Sequence, residues 1–423
     1  MQENNKNKAY DGSEDRDELA DALERVFHQV RESLIAHENG FVSTGPFAID
    51  KHGMGKRAHY GLKLYDGLSG IALFIAAYSF ASKNTEARDL AFRLVARLRL
   101  EVRHLVTNSN RADGLSGMGA LPYVFVQLAT WLKMPELMDV AREVTASITP
   151  RQILTEDRLD VVQGCAGTLL SLLSFTEEVA AMGSDSGPAL ELALLCGRHL
   201  LDKRVSYKSG PRAWPAIDSP PLSGFAYGAA GISYALVRLF RFTGLEEFRE
   251  AAIEGFAFER TLYIPQLQTW FDSRCNLPLA KASWCEGAPG VALGILGSRS
   301  AIDSHALRHD LEQALNITRN LLEGPVDNLC CGNFGRVEIM NIAGSVLGRL
   351  QLTEYARQLA AEILERAEKS GFRFQMPHDP ADSQENSGDN LSLFLGLAGV
   401  GYTLLRLNYP DLFPSVLLLE TLN

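Results

Sequence analysis

The chain has 423 residues, 46% of them apolar, and a formal net charge of −10. This suits a sizeable buried core and one large domain or two or three ordinary ones, and with no basic stripe it argues against nucleic-acid binding as a main function. No run of 18 uninterrupted apolar residues marks a membrane helix, and the polar start from Met1 to Lys6 carries no secretory signal. A cytoplasmic protein is the expectation, with peripheral attachment to a membrane complex left open.

Residues 1–17 are polar and read as disordered. Leu19, Leu23, Val26, Val30 and Leu34 recur at steps of three and four, which predicts a helix over 18–37. Residues 39–63 read as a connector. The chain therefore divides into a polar N-terminal extension with one helix, 1–60, and a single large domain, 61–423.

Seven Gly-x-x-Gly steps punctuate that domain: Gly67–Gly70, Gly114–Gly117, Gly164–Gly167, Gly228–Gly231, Gly287–Gly290, Gly332–Gly335 and Gly396–Gly399. Their first glycines lie 45 to 64 residues apart, which matches a helix-pair repeat with variable loops. After each step comes a segment apolar on most sides, such as Ile71 to Tyr78, the mark of a buried helix. Between the steps lie amphipathic segments. One carries Leu90, Leu94, Leu98 and Val102 with Arg93, Arg97 and Arg99 interspersed; another carries Leu359, Ile363 and Ala367 with Glu362 and Glu365 outward. The pattern predicts an all-α fold, an α/α toroid of about seven inner and seven outer helices, closed so that its end repeats are covered.

The Pro/Gly/Ser-rich stretches 182–188, 209–223 and 376–390 read as loops. The run Ser209 to Pro215 suits a lid or peptide-contact loop as well as a plain connector. A glycine at each helix start admits backbone conformations and close helix approach that a side chain resists. At five of the seven steps, packing alone accounts for the glycines.

Six cysteines in so long a chain do not make a disulfide scaffold. Cys165 and Cys196 fall in apolar helical runs and read as core, and Cys275 stands alone in a loop-like segment. Cys285, Cys330 and Cys331 differ because they abut the fifth and sixth glycine steps, one repeat apart. In a closed toroid, equivalent turns of neighbouring repeats are spatial neighbours, so the three thiols can meet at one end. Zinc takes thiolate and imidazole ligands, and a catalytic site keeps three protein ligands and one open position. None of the nine histidines lies at a glycine step. On spacing alone, a three-thiolate zinc site and three unrelated thiols are equally open.

The runs Leu64 to Phe74, Ser283-Trp284-Cys285-Glu286-Gly287-Ala288-Pro289-Gly290, Leu329-Cys330-Cys331-Gly332-Asn333-Phe334-Gly335 and Leu395 to Tyr402 resemble the lanthionine synthetase C-like family, the cyclases that close thioether rings in lanthipeptides. The resemblance covers roughly residues 60–410 and implies an α/α toroid with one Zn2+ held by Cys285, Cys330 and Cys331. The Cys-Cys pair is similar to the cyclase domain of bifunctional class II synthetases. Those carry a large dehydratase domain upstream, for which residues 1–60 are too few, so a stand-alone relative or an excised domain is expected.

The implied reaction forms lanthionine or methyllanthionine. A substrate cysteine occupies the open zinc position, loses its proton and adds to the β-carbon of dehydroalanine or dehydrobutyrine, and the enolate is protonated at the α-carbon. The implied substrate is a dehydrated precursor peptide with its leader, and a separate dehydratase and a membrane exporter are further candidate partners. The family places an acid/base Asp in the third step, matched by Asp160, for which a helix N-cap is the structural alternative. Its usual G-(F/L)-(S/A)-H-G reads Gly224-Phe225-Ala226-Tyr227-Gly228 here, so Tyr227 stands in place of a His. A phenol of ordinary pKa about 10 is a poor base at neutral pH, but it can donate a proton or hydrogen bond to an enolate. Tyr227 is therefore read as general acid or oxyanion stabiliser.

Glu286 stands where the family more often has His or Tyr, either orienting a zinc-bound group or facing solvent. Arg336 either contacts a substrate carbonyl or, as the default, pairs with an acidic neighbour. The alternatives to a cyclase are a catalytically altered member serving as a peptide-binding or scaffold subunit of a lanthipeptide-modifying complex, and a thiol-addition enzyme using glutathione.

Overall fold

Segments apolar on every side alternate along the chain with segments apolar on one side, and this sorts the helices into two layers. The computed structural model describes residues 14–37, 40–43, 47–49, 55–57, 61–109, 111–271, 282–374 and 390–422. Helix α1 (Glu14–Ser33) is followed by α2 (Leu68–Ser82) and α3 (Thr85–Asn108), then α4 (Leu121–Leu132) and α5 (Leu137–Ser147). After the single-turn α6 (Pro150–Leu154) come α7 (Cys165–Ala181) and α8 (Gly187–Asp202), then α9 (Ala229–Thr243) and α10 (Glu246–Thr261). The chain ends in α11 (Ala288–Ser298) and α12 (His305–Asn320), α13 (Asn333–Leu347) and α14 (Leu350–Ser370), and α15 (Leu397–Asn408).

The helices that follow the glycine steps form the inner layer. Taken in order, α2, α4, α7, α9, α11, α13 and α15 each pack on the next, and α15 packs back on α2, so the ring closes. Outer helices lie against the inner helix that precedes them, and α1 completes that layer by lying on α15. In α2, Ile71, Leu73, Phe74 and Ile75 are fully buried. Each such side chain contributes roughly 1.5–3 kcal/mol by leaving water. Two outer helices are capped by short polar side chains: Asn84 accepts from Ala87 N (3.0 Å) at α3, and Ser304 from Leu307 N (3.2 Å) at α12. Leu90, Leu94, Leu98 and Val102 face inward and Arg93 and Arg97 outward, as the pattern predicts. Cys165 and Cys196 are core.

Three boundaries differ from the sequence reading. The first helix spans Glu14–Ser33, and Leu34–His37 turns into a strand paired with Gly40–Ser43. The connector after it contains a second short hairpin, Phe47–Ile49 with Gly55–Arg57. The stretch 209–223 is likewise built of small hairpins, Val205–Ser206 with Arg212–Ala213 and Pro215–Ala216 with Ser219–Pro221. Cys275, residues 1–13 and most of the loop 376–390 lie outside the described residues. Among those described, no helix is long and apolar enough to cross a membrane.

Candidate functional site

The glycine steps are joined by their own backbone. Tyr65 N donates to Leu115 O (3.1 Å), Ser116 N to Val162 O (2.9 Å), Val162 N to Ala226 O (3.3 Å) and Phe225 N to Trp284 O (3.2 Å). Cys285 N then donates to Cys330 O (3.3 Å), Cys330 N to Phe394 O (3.0 Å) and Phe394 N to Tyr65 O (3.1 Å), which closes the circuit. So tight a ring requires glycine: a Cβ on Gly167 would overlap the Val161 carbonyl, and one on Gly231 the Phe225 carbonyl. The expectation that five steps only pack therefore understates them, because each contributes backbone to the circuit. The second step joins in a shifted register. Gly117, not Gly114, takes the cap place there, ahead of the turn Met118–Ala120 and α4.

This circuit puts the N-termini of the inner helices at one end of the toroid. Their unsatisfied N–H groups carry partial positive charge there, which favours anionic sulfur. It also sets Tyr65, Cys285 and Cys330 at one register position, two residues before Gly67, Gly287 and Gly332. Beneath them an aromatic floor runs from Tyr65 to Phe394 (centroids 5.0 Å apart), Phe394 to Trp284 (5.0 Å) and Trp284 to Phe225 (5.9 Å).

Cys285 and Cys330 are buried and Cys331 is exposed. The Cys330 sulfur is within hydrogen-bonding reach of both other thiols, and the Tyr65 hydroxyl donates to it at 2.8 Å. Ser283 Oγ lies 3.0 Å from Cys285 Sγ. The Cys331 sulfur rests 3.6 Å from Asn328 Oδ1, which also accepts from Cys331 N (2.9 Å). Hydrogen bonds from Cys330 and then Ser283 pull the Cys285 thiol down, against burial. Cys330 is pushed well up by its bonds to Cys285 and Cys331 and by burial. Three thiols this close cannot all ionise without a cation.

Among the described residues no three Cys, His, Asp or Glu side chains converge on one ion-sized centre. The thiols form a string through Cys330, with Cys331 turned to Asn328. As donors they fit a thiophilic ion such as zinc.

Tyr227 stands in the fourth step beside this string. Its pKa is raised by burial first and then by Cys330, Asp160 and Cys285. Asp160 is half-buried, and burial pushes its carboxyl up to about 6 although Gln163 N donates to Oδ1 at 2.7 Å. Asp160 is not the helix cap; Gly164 holds that place, and Asp160 closes the turn before it. Asp160 and Tyr227 share a cavity of about 210 Å³ whose other walls include Arg158, Trp214, Ile217 and Leu222. The hairpin 215–221 thus borders the site, and Ile217 at its tip is exposed.

One sequence reading changes. Arg336 is buried, and among the described residues it pairs with no acidic side chain; it donates to the carbonyls of Leu321 and Leu322 (2.8 Å each) and to Tyr355 Oη. Glu286 is half-buried, and its backbone closes a turn with Ser283. Tyr65 and Ser283 were missed. Tyr65 could have been found by register, since it precedes its glycine by the same two residues as Cys285 and Cys330.

The model of the lanthionine synthetase C-like protein family matches residues 59–418. No curated protein matches by sequence. Among solved structures, nisin cyclase is 16% identical with a TM-score of 0.64, covering 96% of this chain and 97% of its own. A cellobiose 2-epimerase from Spirochaeta thermophila is 13% identical with a TM-score of 0.47, covering 94% and 97%. A sugar epimerase from a ruminal bacterium is 12% identical with a TM-score of 0.46, covering 93% and 98%. The likeness to nisin cyclase shows the α/α toroid, and the family match spans nearly the whole closed ring described above: the chain belongs to the lanthionine synthetase C-like family.

Proposed function

We propose that this protein is a lanthipeptide cyclase, adding cysteine thiolates of a precursor peptide to dehydroalanine or dehydrobutyrine residues of the same peptide. The observation that carries the reading is the closed backbone circuit, which gathers Cys285, Cys330, Cys331, Tyr227 and Asp160 at the helix N-termini. Cys285, Cys330 and Cys331 would hold one Zn2+. When bound, zinc lowers the pKa of a coordinated substrate thiol and keeps the thiolate near its target.

The residues around it handle protons. Asp160, with a carboxyl pKa of about 6, is mostly ionised at neutral pH and accepts the substrate thiol proton. The sulfur–carbon bond forms as the alkene π bond breaks, and the electron pair moves onto the enolate. Tyr227, held protonated by its raised pKa, donates to the α-carbon and recovers a proton from Asp160. The substrate is a dehydrated peptide, and a dehydratase and an exporter are the partners such a pathway calls for.

The test is zinc content and ring closure in wild type beside Cys330→Ala. About one zinc per chain, lost in the variant together with thiol consumption at unchanged peptide mass, is the expected result. Reduced wild type that holds no zinc and closes no ring overturns the reading. Adduct formation with glutathione but not within a peptide points to the other thiol-addition chemistry.

A further inference from the structure

We propose that Tyr65 is a positioning residue of this site, docking the Cys330 sulfur with a hydrogen bond from its hydroxyl. The inference rests on the cyclase reading and assigns a role to a residue outside the thiol and acid/base set.

The geometry comes from the ring. Tyr65 N donates to Leu115 O and its carbonyl accepts from Phe394 N, both at 3.1 Å, so its backbone is fixed from two sides. Its ring stacks on Phe394 at 5.0 Å with an interplanar angle of 17°. A tyrosine has two side-chain torsions, and both are settled by this packing, so the hydroxyl is delivered to one place. Phenylalanine would fill the same stack. What the hydroxyl adds is its polar contact with Cys330 Sγ at 2.8 Å. A buried hydroxyl without a partner costs roughly 1–3 kcal/mol, and this one is satisfied by a group of the site.

A phenol has one proton to give. Tyr65 gives it to the Cys330 sulfur. An O–H···S bond draws density from a thiolate and fixes its direction, as outer-shell donors do at metal–thiolate centres. Tyr65 thus acts through Cys330, without touching the peptide.

The test uses Tyr65→Phe in the full chain, loaded with cobalt(II) in place of zinc. The expected result is metal retained, an unchanged melting temperature, a shifted thiolate-to-cobalt charge-transfer band and zinc affinity about 10–100-fold weaker against a competing chelator. With zinc, kcat falls by about tenfold and KM stays. Tyr227→Phe leaves the Tyr65–Cys330 bond in place, so it should lower kcat without moving the band. A Tyr65→Phe protein with wild-type band, affinity and kcat overturns the role of Tyr65 alone, as does a band that moves equally in both variants. Wild type that binds neither metal and closes no ring overturns the cyclase reading and this role with it.

Discussion

The two ends of the toroid handle buried polar groups in opposite ways. At the end away from the glycine steps the C-terminal tail fills the ring. Leu417, Leu418 and Leu419 are buried, and their carbonyls are collected by the inner helices: Tyr234 Oη donates to Leu418 O (3.1 Å) and Arg238 Nη1 to Leu419 O (2.9 Å). Gln127 Nε2 donates to Glu420 O (2.8 Å). Charges there are paired, Arg238 with Glu177 (2.5 Å) and Arg406 with Glu338 (2.6 Å). At the glycine-step end, acids gather on acids. Cys330, Tyr65 and Tyr227 are acted on most strongly by burial and by other acidic groups. A paired, tail-plugged end is architecture. A cluster of like groups with raised pKa values at the helix N-termini serves chemistry better than stability.

That contrast can be broken by moving one residue at each end. Asp160→Asn should lower kcat by about 10²–10⁴-fold at neutral pH while leaving the melting temperature no lower, since a carboxylate disfavoured by burial is replaced by a neutral isostere. The carboxyl is protonated below about pH 6 and a competent base above it. Wild-type turnover should therefore fall as pH drops through about 6, and the Asn variant should lack that limb. A variant that cyclises normally would remove Asp160 from the mechanism. Arg238→Met should do the reverse. It strands Glu177 and the tail carbonyls, and the expected loss is about 3–5 kcal/mol in denaturant unfolding, with turnover per folded molecule unchanged. If turnover falls instead while stability holds, the plugged end takes part in catalysis and the contrast fails.

Much of this was legible. Helices apolar on all sides announced the inner layer, and Cys285, Cys330 and Cys331 stood out because thiols at glycine steps are unusual residues in a repeated place. The register of the second step was not legible: Gly114, Gly117 and Gly119 offer more than one frame, and only the bond from Tyr65 N to Leu115 O chooses Gly117. Tyr65 was hidden for a different reason. An aromatic residue beside an apolar helix reads as core, and its hydroxyl gains meaning only when residue 330 is brought beside it. Arg336 misled in the same way, because its partners are backbone carbonyls, which no side-chain pattern reports.

One carboxyl crosses the divide and sharpens it. Glu259, on α10, is buried behind the fourth step, and its Oε1 accepts from Gly224 N (3.0 Å) and Ala230 N (2.8 Å), on either side of Tyr227. Burial pushes its pKa up to about 8, although those N–H groups and Ser223 pull it down. The folded protein therefore holds this proton at pH values where the unfolded chain, with an ordinary Glu near 4.3, has released it. Where the folded state binds more protons, stability falls as pH rises. This contribution is intact below about pH 4 and declines from there up to about pH 8. Glu259→Gln keeps an acceptor for both N–H groups and cannot ionise. Between pH 5 and pH 7 wild type should lose about 2 kcal/mol relative to that variant, read from urea midpoints at constant slope. The Tyr227 loop would then be held by a neutral clamp, and the acids that face the cavity would be the ones left free to change charge. Equal pH dependence in both proteins would mean that Glu259 is ionised in the fold, and the step end would then carry a structural charge like those of the tail-plugged end.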